Sequence, residues 1–279
     1  MTALSYVVSV EMKETWIFFI VFAAVLLIIL SGCDIQRRML YYPGEISIAD
    51  VIKYTAENGL QMWPDSNSAY QSIVTQKGPT VFKGTIAVFH GNAGAAMHRQ
   101  YYFRALEPLG YRVVLVEYPG YGGRPGRMNE KNFVADARRA ALHAKEEFGG
   151  PLYLWGESLG CGVASALAAD PTLGPQGIVM LTPWDSLLNE AKAKVPWLPV
   201  RFLLKDSYNN VANLAGYRRP VAVIMSKLDE VIPNRLTKRL YETLSQPKRI
   251  WVFENAGHND WPNHPGQRWW EEVMGFVSS

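Results

Sequence analysis

Leu152-Tyr153-Leu154-Trp155-Gly156-Glu157-Ser158-Leu159-Gly160-Cys161-Gly162-Val163-Ala164-Ser165-Ala166 is the stretch whose reading decides the fold. Its first four residues form a continuous apolar run, as a buried strand does, and the residues from Leu159 onward are small and helix-compatible. Between them, Gly156-Glu157-Ser158-Leu159-Gly160 fits a strand-to-helix turn so tight that the positions two before and two after the serine must be small. Such an elbow pushes the Ser158 hydroxyl out at the end of the sheet. A Gly-rich turn with a solvated serine is the plainer alternative, so the rest of the chain has to decide.

A serine hydroxyl becomes nucleophilic only when a base takes its proton and a third group orients that base. Where such an elbow sits in an open α/β sheet, the acid and the histidine follow the serine along the chain. Only His258 and His264 do so. His258 lies in the small-residue loop Asn255-Ala256-Gly257-His258 after the strand-like Arg249–Phe253, whereas His264 lies between two prolines and reads as a surface residue. Asp229 is the expected acid, just past the strand-like Val221–Met225, with Asp185 after Gly177–Leu181 as the second choice. Upstream, the apolar Thr85–Phe89 runs into His90-Gly91-Asn92-Ala93-Gly94. The backbone N–H groups of Asn92 and Leu159 are therefore the candidates to receive a developing oxyanion. His90 then packs the loop and is not the base. No Gly-x-Gly-x-x-Gly or Gly-Lys-Ser/Thr pattern points to a nucleotide.

Six blocks together resemble a known family: His90–Gly94, Tyr118-Pro119-Gly120-Tyr121-Gly122, Gly156–Gly160, Thr182-Pro183-Trp184-Asp185-Ser186, Leu228–Pro233 and Ala256-Gly257-His258. They are similar to the signature series of small α/β hydrolases, among them the depalmitoylating α/β-hydrolase-domain proteins. The resemblance runs from about Gly84 to the C-terminus. It implies an α/β-hydrolase fold and a serine hydrolase acting on an ester or thioester through an acyl-enzyme. Two departures from the pattern are Ser226 and Lys227, where relatives often carry a glycine before the acid.

Periodicity agrees with that fold class. Strand-like runs at 85–89, 111–116, 152–155, 177–181, 221–225 and 249–253 alternate with helical patterns at about 95–107, 129–147, 159–169, 233–244 and from 265. This predicts a mostly parallel, doubly wound sheet with helices on both faces. Residues 184–217 interrupt the alternation and read either as a small helical lid or as a crossover helix with an extended loop; in the lid reading Trp184, Trp197 and Phe202 are expected to roof a shallow cleft suited to short or medium acyl chains. Residues 34–83 are weakly patterned. A strand pair there is expected to cover the sheet edge, and Tyr41-Tyr42-Pro43 is expected to serve as a tether.

The first 33 residues differ from the rest. Trp16 to Leu30 is an unbroken apolar run of 15 residues, followed by Leu30-Ser31-Gly32-Cys33. That is short for a spanning helix and suits a signal-peptide core. The ending resembles a bacterial lipobox, which implies lipid on Cys33. Lys13 precedes the run, so Met12 is an alternative start to Met1. Asp34 resembles an inner-membrane retention signal. The expected organisation is a lipoprotein-type signal or anchor over 1–33 and one α/β-hydrolase domain over 34–279. The latter would face the periplasm, held at the bacterial cell membrane.

Composition sets further bounds. A net charge of +3 with scattered Lys and Arg offers no basic stripe for nucleic acid. Five scattered His and two Cys give no metal-ligand spacing, so neither cofactor nor metal is expected. With Cys33 acylated, Cys161 would be left without a disulfide partner, as a small packing residue. A serine peptidase and an inactive membrane-tethered scaffold are the competing functional readings, because a triad alone does not separate ester from amide.

Overall fold

In the computed structural model, which describes residues 36–65 and 69–279, eight strands form one sheet in the order β1-β2-β4-β3-β5-β6-β7-β8. Those strands are β1 (Leu60–Trp63), β2 (Ser72–Thr75), β3 (Gly84–Phe89), β4 (Tyr111–Val116), β5 (Leu152–Glu157), β6 (Gly177–Leu181), β7 (Val221–Ser226) and β8 (Lys248–Phe253). From β4 to β8 every neighbouring pair is parallel, whereas β1 pairs antiparallel with β2, and β2 with β4. The expected edge-covering strand pair is therefore present. The six expected strands all form, with ends that shift by two residues at most.

The inner strands are buried along their whole length, β3, β4, β5, β6 and β7 without exception, because helices cover both faces. One core cluster packs the helices Glu130–Phe148, Leu159–Ala168 and Asn234–Thr243 on one face. The other packs Tyr101–Leu106 and Gln267–Val277 on the opposite face. An amphipathic helix at Ile48–Glu57 is additional to the sequence-based expectation. It starts in a capping box in which the Ser47 hydroxyl accepts from the Asp50 N–H and the Asp50 carboxylate accepts from the Ser47 N–H.

Tyr41-Tyr42-Pro43 is more than a tether. The Tyr41 hydroxyl donates to Asp206 at 2.7 Å and lies 3.0 Å from that of Tyr208, and Tyr42 forms a parallel bridge with Ala93. The Tyr42 N–H donates to Asn92 O at 2.9 Å, and the Gly94 N–H donates to Tyr42 O at 3.1 Å. The entry segment is thus bonded onto the loop after β3. The apolar run Trp16–Leu30, the lipobox and Cys33 lie outside the described residues.

Candidate active site

Ser158 sits at φ 49°, ψ −111°, a left-handed conformation that a side-chain-bearing residue adopts only when its surroundings enforce it. The two flanking glycines show what enforces it. A Cβ on Gly160 would stand 2.0 Å from Phe89 O, and one on Gly156 would stand 2.6 Å from the backbone of Cys161. The elbow is thus wedged between β3 and the helix it starts. Cys161 lies behind it, its thiol donating to Gly156 O and Leu181 O, and burial raises its pKa well above the ordinary value.

The structure brings Ser158, Asp229 and His258 into one hydrogen-bonded line. His258 Nε2 lies 3.1 Å from Ser158 Oγ, and Nδ1 lies 2.8 Å from Asp229 Oδ2. Asp229 Oδ1 accepts the N–H groups of Val231 and Ile232 at 2.9 and 2.7 Å, which holds the carboxylate in place. The second-choice acid, Asp185, faces elsewhere. It accepts from Ser186 N, Asn189 Nδ2 and Arg239 Nε at the entry to the helix Leu187–Lys194.

Asn92 and Leu159 border the same space as Ser158. Leu159 opens its helix, where first-turn N–H groups have no partner within the helix. The Asn92 side chain donates to Leu40 O and its carbonyl accepts from the Tyr121 hydroxyl, so this residue is held at three points counting its bond to Tyr42. His90 packs the loop as expected. Its Nε2 faces Glu117 Oε1 at 2.9 Å and its Nδ1 faces Gly91 O at 2.7 Å, while Glu117 Oε2 accepts from Ala96 N.

Two cavities meet at Ser158. The larger, about 390 Å³, is mainly apolar and is walled by Leu40, Trp184, Leu187, Val195, Leu198 and Leu204 among others. Trp184 is in its wall, but Trp197 and Phe202 are not the roof expected of them. They are 79% and 83% exposed and point to solvent, and the leucines beside them line the space instead. The smaller cavity, about 250 Å³, lies on the His258 side and carries His98, Arg99, Tyr101, Thr182, Asn259 and Trp261.

Sequence reasoning missed the group that builds this second cavity. Glu157, the residue before Ser158 in the elbow, is buried and accepts from Arg99 Nε at 3.1 Å, Tyr101 Oη at 2.5 Å and Tyr102 Oη at 2.7 Å. Burial alone would raise its pKa, but Arg99 and the two hydroxyls outweigh that and hold it below the ordinary value. The only sequence signal was an acid inside the elbow and an Arg-Gln-Tyr-Tyr run elsewhere, with nothing to pair them. Arg99→Ala should cost about 3–5 kcal/mol, because it leaves a buried carboxylate without its counter-charge. Denaturant unfolding measures this, and adding Glu157→Gln should recover part of the loss. Since the folded Glu157 pKa is depressed, the pair's contribution is present above the ordinary carboxylate range and fades as the pH falls through the folded value.

Known proteins resemble the chain in the same terms. A model of the alpha/beta hydrolase fold matches residues 84–216. An uncharacterised protein of Mycobacterium tuberculosis is 35% identical over 240 residues, 81% of each chain. The lysophosphatidylserine lipase ABHD12 of Danio rerio is 32% identical over 59% of this chain and 48% of its own, so the chain spans about half the length of that relative. Among solved structures, TT1662 of Thermus thermophilus aligns with a TM-score of 0.62 at 20% identity, over 79% of this chain and 99% of that one. A monoacylglycerol lipase of Paleococcus ferrophilus aligns at 0.54 and 19%, over 72% and 96%. With the sheet order, the elbow and a relative of this identity and coverage in agreement, the chain belongs to the α/β-hydrolase family.

Proposed function

We propose that the protein is a serine hydrolase that cleaves a carboxylic ester of a single acyl chain and a polar leaving group, through an acyl-enzyme. The observation that carries this reading is the hydrogen-bonded Ser158, His258 and Asp229 line with an apolar cavity on one side of the serine and a polar one on the other. Ser158 Oγ attacks the ester carbonyl while His258 Nε2 takes its proton, and Asp229 holds the imidazolium through Nδ1–H. The backbone N–H groups of Asn92 and Leu159 receive the oxyanion. His258 then gives the proton to the leaving oxygen, which departs into the cavity that His258 itself borders. A water activated by the same imidazole attacks the acyl-enzyme and frees the acid.

The apolar cavity fits an acyl chain, whereas a peptide there would leave N–H and C=O groups unpaired at a cost of about 1–3 kcal/mol each. The names of the lysophosphatidylserine lipase and the monoacylglycerol lipase support a monoacyl lipid as substrate. On p-nitrophenyl esters, kcat/KM should rise with chain length by up to about fourfold per methylene, since each buried CH₂ gives about 0.8 kcal/mol, and should level off once the cavity is full. Aminoacyl p-nitroanilides should be inert. Preferred cleavage of the anilides would overturn the ester reading in favour of a peptidase.

In the same reading Cys33 bears lipid and holds the enzyme at the periplasmic face of the membrane, an assignment that rests on the lipobox-like Leu30-Ser31-Gly32-Cys33. Cys33→Ser should abolish metabolic labelling with fatty acid. A membrane-extracted protein whose N-terminus lies upstream of Cys33 would instead make the segment a plain anchor.

A further inference from the structure

The mouth of the apolar cavity carries side chains that the hydrolytic mechanism does not use. Trp197 and Phe202 are the most exposed large apolar residues among those described, and neither lines the two cavities at Ser158. Single exposed apolar residues are ordinary on protein surfaces. These two are different in their placement: Trp197 stands between the cavity-lining Val195 and Leu198, and Phe202 stands beside the cavity-lining Leu203. Met39, 64% exposed, is itself in the cavity wall, so the exposed apolar residues in or next to the lining, its rim, are Met39, Trp197 and Phe202.

The charge on that rim has one sign. Between Leu187 and Lys205 the basic residues are Lys192, Lys194, Arg201 and Lys205, all exposed, and the one acid is the buried Glu190, which pairs with Lys194 at 2.8 Å. Arg38 adds an exposed cation next to Met39. An indole and a phenyl ring framed by cations match the boundary between water and the acyl region of an anionic bilayer, where aromatic rings settle and cations gain from the surface potential.

The course of the chain points the same way. Residues 36–40 are helical, and Gln36, Met39 and Leu40 border the cavity. The apolar run Trp16–Leu30 and Cys33 come just before them in sequence. Three peptide steps from Cys33 to Gln36 span at most about 11 Å. A lipid on Cys33 would therefore lie within about 11 Å of Gln36, which borders the cavity.

We propose that this rim docks on an anionic bilayer surface, with Trp197 and Phe202 inserted among the lipids, so that the apolar cavity opens directly into the layer that holds acyl chains. The docking is a property of the surface and is read without any turnover.

The test uses the full chain in phosphatidylglycerol vesicles whose acyl chains are brominated, with tryptophan fluorescence as the readout. Trp197→Phe, a change at an exposed position, should lose a distinct share of the quenching seen in the wild-type chain. That share should fall at least several-fold in brominated phosphatidylcholine vesicles, and should vanish in a Lys192→Glu, Arg201→Glu, Lys205→Glu triple variant. Equal quenching of wild type and Trp197→Phe on phosphatidylglycerol would place Trp197 in water or under a protein partner and overturn the proposal. An equal Trp197 share on both lipids would overturn the anionic surface. Failure of the enzyme on every ester would leave this measurement unaffected.

Discussion

Ser158→Ala should abolish covalent labelling by a fluorophosphonate and lower ester turnover by on the order of 10⁴–10⁶-fold while the protein stays folded. The size of the loss follows from the geometry. Oγ is the only atom removed, it lies 3.1 Å from His258 Nε2, and no other hydroxyl shares that partner among the described residues. The fold should tolerate the change, because the elbow is held by the backbone of Gly156, Gly160 and Phe89 and not by the serine side chain. His258→Ala should fall to a similar level, since in the proposed mechanism the two groups act as one unit and their losses do not add. Persistent labelling of a folded Ser158→Ala variant would remove Ser158 from the nucleophile's position. A melting curve of each variant, recorded beside the labelling gel, separates loss of chemistry from loss of fold.

Asp229→Asn should lower kcat by about 10⁴-fold, and Asp185→Asn should leave it within a few-fold of wild type. An amide at position 229 can present an N–H to His258 Nδ1 and so favour the tautomer with its proton on Nε2, where Ser158 needs an acceptor. The change also weakens an acceptor already held by the N–H groups of Val231 and Ile232. Asp185 has another task, collecting Ser186 N, Asn189 Nδ2 and Arg239 at a helix entry, so its loss should appear in the melting temperature and not in kcat. If Asp185→Asn is the inactive variant and Asp229→Asn is near normal, the orienting acid belongs one strand earlier.

Much of this arrangement was legible in the sequence because parallel strands buried on both faces are written as unbroken apolar runs. Leu152–Trp155, Val221–Met225 and Arg249–Phe253 each mark a strand, and Ser158, Asp229 and His258 lie within a few residues of their carboxyl ends. What stayed hidden depended on partners distant in sequence. Glu157 and Arg99 are 58 residues apart and nothing local announces their pairing. Tyr41 reads as tether until its bond to Asp206, 165 residues on, is seen. Trp197 and Phe202 face solvent for another reason: Pro196 and Pro199 deny Trp197 a helix, and Phe202 lies in the single helical turn Val200–Leu203, too short to carry a periodicity that says which way it faces. The helix Ile48–Glu57 did carry a local signal, Ser47 followed three residues later by Asp50, but it lacked a strong apolar run to draw attention to it.

The 100 residues that separate Ser158 from His258 also set the order in which a refolding chain can become competent. Ser158 is fixed by β3, β5 and the helix after β5, whereas Asp229 and His258 ride on the ends of β7 and β8, the last two strands of the sheet. Closing so long a loop is entropically expensive and waits on the contacts that reward it. Recovery of fluorophosphonate reactivity therefore clocks the docking of the final two strands, a later event than the appearance of the central sheet that circular dichroism would follow.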